Sequence, residues 1–218
     1  MTFLIADELQ HANLGDARLN KRLVHLGEKL SEKPTESIPK ACETLADIRA
    51  AYRFFSSHRL HPAAIRDAHF QKTMDRTSAC DFVLAIQDTT DLDFSSHHAT
   101  TGLGYLEYQG SSGLRVHSTL ALTPDGVPLG LLDQIVWTRA PQEKGKRSTR
   151  RLRCTSKKES QHFIDALERA EERLPKTVHC LTIADREADL FDLLAPPYHL
   201  SGQDRGRRDC IPARSRKG

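Results

Sequence analysis

Two short apolar runs in this 218-residue chain lead to an aspartate. Phe82-Val83-Leu84-Ala85-Ile86 is followed by Gln87-Asp88-Thr89-Thr90, and Cys180-Leu181-Thr182-Ile183 by Ala184-Asp185. Carboxylate oxygens suit hard divalent cations such as Mg²⁺ or Mn²⁺. Two carboxylates at neighbouring strand tips suit phosphoryl displacement, in which paired ions clamp the attacking and leaving oxygens. A lone aspartate after a strand more often caps the next turn or helix. The metal reading therefore depends on whether Asp88 and Asp185 meet.

Other acids compete for the same role. Asp91 and Asp93 form an Asp-x-Asp, with His97 and His98 downstream. They lie in a polar stretch without regular ligand spacing, and a solvated loop is the simpler reading. Glu187 and Asp189 sit where a helix would start, a position at which the helix dipole favours acids. His117 lies in an alternating strand pattern and reads as structural. The chain has no Gly-rich phosphate loop and no Gly-x-Ser-x-Gly, so nothing supports an NTPase or a serine hydrolase. Five scattered cysteines, none in a C-x-x-C pair, argue against a zinc site or a disulfide framework and fit reduced thiols in a cytoplasmic protein.

Charge is uneven although the net value is only +3. Nine Lys and Arg fall between Arg139 and Lys158, and the last fourteen residues are basic as well. Such patches suit a polyanion, or simply a solvated loop. No apolar run approaches the roughly 18 residues that would span a membrane, and the N-terminus lacks a secretory pattern.

The elements that must position these residues fall into two groups. Up to about residue 72 the pattern is helical. Leu19, Leu23, Leu26 and Leu30 form one stripe on a helix that starts near Asp16, an N-cap type, with Arg18, Lys21, Arg22, His25 and Lys29 opposite. A second helix spans roughly 40–55, with Leu45, Ile48, Tyr52 and Phe55 on one side. Pro62 opens a third. From about 73 the order is a strand ending at Gln87-Asp88, a long loop to Gly113, and a hairpin turning at Thr123-Pro124-Asp125-Gly126. A helix follows to Leu174, with Ser156 to Glu159 as its capping box, then a strand to Ile183 and a helix from Glu187 to Leu194. This is the order of a ribonuclease-H-like core, in which the first strand and the strand after the helix lie side by side and parallel. The expected fold class is α/β: a small helical module at 1–72, a partial ribonuclease-H-like core at 73–198 and a basic tail at 199–218.

Four stretches together carry a resemblance: "NLGDARLNKRL" from Asn13, "AYRFFSSHRLHPAAI" from Ala51, "LAIQDTTDLDF" from Leu84 and "IADREADLFDLL" from Ile183. In that order they resemble the bacterial cut-and-paste DDE transposases of the Tn-five-like group within the IS-four superfamily. The resemblance implies DNA transposition, with a helical module that binds transposon-end double-stranded DNA. It carries DNA contact over to Arg18, Arg22 and Arg53. It makes Asp88 and Asp185 the first two catalytic carboxylates and ligands of Mg²⁺ or Mn²⁺. It further implies a homodimer on two DNA ends, in the cytoplasm at the nucleoid.

One departure limits the expectation. The family's third carboxylate is a Glu in a Tyr-x-x-Arg-x-x-x-Glu motif, and these 218 residues contain no such motif. The family's dimerisation region is missing too. After Leu194 the sequence turns rich in Arg and Gly, where an apolar strand is expected; a shifted reading frame near Leu200 would account for this. The expectation is an inactive N-terminal fragment of a transposase. The rival is a non-enzymatic DNA-binding protein that inhibits full-length transposase. A stand-alone nuclease would need Asp91 or Asp93 to complete the site.

Overall fold

The leucine stripe forms a 16-residue helix, in a computed structural model that describes residues 5–108, 110–140 and 159–185 and the backbone of 209–212. The chain divides into two compact units, 1–72 and 73–218.

The first unit is helical: α1 (Ile5–Leu9), α2 (Ala17–Glu32), α3 (Ile38–Cys42), α4 (Leu45–Phe55) and the start of α5 (Pro62–Thr77). Asp16 caps α2, its side chain accepting from the backbone N–H of Arg18 at 2.8 Å. Gly15, with φ of +73°, supplies the left-handed residue that turns the chain into that cap. Leu23 and Leu26 of α2 are buried with Leu9, Leu14, Cys42, Ala51, Phe54 and Ala68, and Leu19 and Leu30 pack at the margin.

The region read as one helix over 40–55 is two. Glu43, at φ of +63°, breaks it, and Thr44 starts α4 by accepting from the Asp47 N–H at 3.1 Å. Of Leu45, Ile48, Tyr52 and Phe55, read on one side of this region, only Ile48 packs against the core. Ala51 and Phe54 face the core, while Leu45, Tyr52 and Phe55 are 72%, 52% and 50% exposed.

The second unit is a mixed sheet with one described helix. Its strands are β1 (Phe82–Asp93), β2 (Gly104–Tyr105), β3 (Ser112–Leu122), β4 (Pro128–Trp137), β5 (His179–Ala184) and β6 (Asp209–Pro212); α6 spans Gln161–Arg173. The order is β2-β3-β1-β5-β6, with β4 also paired to β3. The β1–β3 and β3–β4 pairs are antiparallel, and β1–β5 and β5–β6 are parallel. This arrangement is compatible with a ribonuclease-H-like core. The Thr123-Pro124-Asp125-Gly126 turn joins β3 to β4, with Gly126 at φ of +83° and its N–H donating to the Thr123 carbonyl at 2.9 Å.

The sheet buries one face against α6. Val83, Ala85, Ala121, Leu129 and Leu132 meet Ala170 and Leu174, and Phe163 and Leu167 meet Ala184. The alternate residues of β1 and β5, among them Leu84, Ile86, Leu181 and Ile183, are half-buried on the opposite face.

Three features depart from the pattern reading. Strand β1 does not stop at Gln87 but continues to Asp93, because β3 pairs with it as far as Asp93↔Gly113. The stretch read as loop up to Gly113 holds the short strand β2. The tail read as lacking strand periodicity supplies β6, paired in parallel from Leu181↔Asp209 to Ala184↔Pro212. The helix expected over 187–194 lies outside the described residues.

Candidate carboxylate site and nucleic-acid interface

The register of β1 on β5 decides whether the two aspartates meet. The last paired positions are Gln87↔Ala184, so the next residues, Asp88 and Asp185, are neighbours across the two strands. They are 97 positions apart in the chain. Adjacent strands lie about 4.8 Å apart, so the two carboxylates share one small region. Both side chains are exposed, on the face that carries Ile86 and Ile183. Asp88 also accepts the N–H of Thr89 at 2.8 Å.

Asp91 and Asp93 belong elsewhere. Their odd positions place them on the other face of β1, the one turned towards α6. Asp91 pairs with Arg115 at 2.7 Å. Asp93 accepts the N–H of Ser95 at 2.8 Å, and the hydrogen bonds from Ser95 hold its pKa down. His97 stands edge-on to Phe94 at 5.6 Å. No group of three or more His, Cys, Asp or Glu poised for a metal occurs among the described residues. A nuclease site completed by Asp91 or Asp93 is therefore not what this geometry provides.

Beneath the aspartates the inner face of the sheet is polar. His117 of β3 is fully buried; its Nδ1 lies 2.9 Å from Thr89 Oγ1, its Nε2 3.3 Å from the Gln87 amide, and Phe163 packs edge-on at 4.5 Å. Burial lowers the His117 pKa to about 4, with His162 adding to the shift and Asp88, Asp133 and Asp185 opposing it. The ring is neutral at pH 7.

Charged groups missed by the pattern reading organise the rest of this face. Glu159 was read as part of a capping box. Instead it accepts from Trp137 at 3.2 Å, from Arg115 at 2.8 Å and from Arg139 by two bonds. Burial works to raise its pKa, but the bonds and charges of Arg139, Trp137 and Arg115 win and bring it down to about 2. Helix α6 starts behind Ser160, which makes no capping bond. Arg139, counted in the basic run, is thus consumed by an internal ion pair; residues 144–158 of that run lie outside the described residues. Asp133 of β4 is buried, with Arg173 at 2.6 Å and Arg169 at 3.4 Å, tying α6 to the sheet. Its only sequence signal is a charge within an otherwise apolar strand.

In the helical unit the arginines singled out for DNA lie on the surface. Arg18 is exposed in the first turn of α2 and Arg22 is half-exposed one turn on. Arg53 is exposed in the last turn of α4, beside Arg49 and Tyr52. Lys21 is exposed on α2, and His25 contacts Asp47 of α4 at 3.2 Å. Exposed cations beside an exposed aromatic and aliphatic face suit a phosphate backbone and base edges. No described helix is long and apolar enough to cross a membrane.

Residues 1–60 match the family model of the transposase DNA-binding region. The matched stretch contains α1 to α4. It supports a transposase-related, DNA-binding role for the helical unit.

Proposed function

We propose that this chain belongs to the DDE transposases of the Tn-five-like group in the IS-four superfamily, and that its helical unit holds transposon-end duplex DNA. The observation that carries the catalytic half is the adjacency of Asp88 and Asp185 on parallel strands, in a chain whose first 60 residues match a transposase DNA-binding model. Arg18, Arg22 and Arg53 contact phosphates, and α4 presents Arg49 and Tyr52 to the same ligand.

Asp88 and Asp185 fit a divalent cation of the Mg²⁺ or Mn²⁺ type: two exposed carboxylates on one face of neighbouring strands, the oxygen donors such an ion takes. Held by Asp88 and Asp185, such a cation would supply charge neutralisation at a phosphodiester. The chain's own residues supply the strand ends that hold the two carboxylates, with the buried His117 and Gln87 beneath them. On this reading the helical unit binds the DNA end and Asp88 and Asp185 hold the cation. In the complete reaction, two copies act on two ends at the nucleoid.

The family-model match, which covers residues 1–60, equally suits a second reading, a DNA-binding protein that competes with active transposase. Both readings begin with the same test. Duplex DNA carrying the element's ends is titrated with the purified chain across a salt series. Binding weakens steeply with salt as lysines and arginines displace counterions. Salt-independent binding, or none, sinks both readings. Mg²⁺-dependent cutting of that DNA by the chain alone would favour the transposase reading and overturn the second.

A further inference from the structure

The buried histidine below the aspartates has a place that packing alone does not explain. Thr89 and His117 are directly opposite in the β1–β3 register. The β1–β5 ladder has already ended, at Gln87↔Ala184. From Asp88 onward β1 is therefore held by β3, and a side-chain bond from β3 at this point bears on where the Asp88 backbone lies. His117 makes two such contacts, one to each residue flanking Asp88: Thr89 Oγ1 at 2.9 Å and the Gln87 amide at 3.3 Å.

The bonding around Gln87 selects one protonation pattern. The amide orientation that satisfies its neighbours has Nε2 donating to the Phe163 carbonyl at 3.2 Å and Oε1 accepting from the Leu167 N–H at 3.3 Å. The amide nitrogen then also faces His117 Nε2, which must accept. The ring proton sits on Nδ1 and is donated to Thr89 Oγ1. One neutral tautomer thus links α6, Gln87, His117 and Thr89 in series. Because side chains alternate along a strand, fixing Gln87 and Thr89 on the inner face fixes Asp88 on the outer one.

We propose that His117 is the positioning residue of the carboxylate pair: by bonding both neighbours of Asp88 from below, it sets the aim of Asp88 relative to Asp185. This rests on the metal reading of those two aspartates. Groups that orient metal-binding side chains commonly change affinity by about tenfold or more when removed. An apolar replacement of similar bulk, His117→Leu, keeps the packing against Phe163 but deletes both bonds. His117→Asn keeps a donor near the Nδ1 position.

The test is a Mn²⁺ titration of the full 218-residue chain, followed by paramagnetic broadening of its backbone amide resonances. In the wild type the Asp88 and Asp185 amides broaden first. In His117→Leu the same broadening needs about tenfold more Mn²⁺, and in His117→Asn most of the affinity returns. Thermal unfolding of each variant reports stability separately, since a purely structural role lowers stability without moving the Mn²⁺ midpoint. An unchanged midpoint in folded His117→Leu overturns the proposal, as does failure of His117→Asn to restore affinity. If His117→Leu does not fold, Thr89→Val decides: a raised midpoint supports the proposal and an unchanged one overturns it. A wild type that shows no broadening at either aspartate removes the metal reading itself, and the positioning role with it.

Discussion

The helical unit and the sheet unit place their candidate functional residues by different physics. In the helical unit Arg18, Arg22 and Arg53 need only a helix with its apolar stripe turned inward; the opposite face is then exposed by default. In the sheet unit Asp88 and Asp185 acquire meaning only when two strands far apart in sequence align in one register. The first kind of site tolerates local adjustment. The second depends on every contact that fixes the register, including charges buried between α6 and β4.

That contrast can be broken most severely at the cores. Phe54→Ala empties the centre of the helical unit and is expected to destabilise it by about 4 kcal/mol. DNA binding should fall with it, as urea unfolding and a binding titration on the same sample would reveal. Asp133→Ala leaves Arg173 and Arg169 without their shared carboxylate. A loss of about 3 kcal/mol, the low end for breaking a buried pair, is expected in urea unfolding of the sheet unit, with the salt dependence of DNA binding unchanged. If Asp133→Ala costs nothing, the claim that buried charge holds α6 on the sheet is wrong.

Acid separates the units more gently. His117 has a folded pKa of about 4, below its ordinary 6.5, so the unfolded chain takes up the proton first. Its contribution is present above pH 6.5 and is lost as pH falls towards 4, amounting to about 3 kcal/mol. Glu159 extends the loss from its ordinary 4.5 down to about 2. Stability measured against pH should therefore decline in the sheet unit from pH 6.5 downward. His117→Leu should flatten the upper part of that decline and Glu159→Gln the lower part.

The smallest expected effect is on the surface. Arg53→Ala should leave the melting temperature of the helical unit unchanged and reduce the salt slope of DNA binding by about one unit, the share of a single phosphate contact. An unaltered slope would remove Arg53 from the interface.

How legible each unit was follows the same division. The Leu19 to Leu30 stripe, the Asp16 cap and the Thr123-Pro124-Asp125-Gly126 turn were readable because each is a local signal with a fixed period or residue type. The neighbour relation of Asp88 and Asp185 was readable only through the order of elements. The break at Glu43 was not, since a non-glycine at positive φ leaves no mark in the sequence. The outward turn of Tyr52 and Phe55 was hidden because an apolar residue on a helix may face either a core or a ligand. Glu159 looked like a cap, and its true partners, Arg115 of β3, Trp137 at the end of β4 and Arg139 just beyond it, are not connected to it by the local pattern. Strand β6 was invisible because its residues lack apolar alternation; its place beside β5 is a matter of backbone pairing.

Parity along β1 carries a consequence for how such a chain can vary. Inserting or deleting one residue between Leu84 and Asp88 would exchange the faces of the sheet, turning carboxylates inward and histidine partners outward. A change of two residues would preserve the faces while sliding the site along the strand. Relatives that keep the aspartate pair should therefore differ in this segment by even steps or not at all, and an odd step should mark a copy in which Asp88 no longer faces Asp185 while the helical unit remains intact.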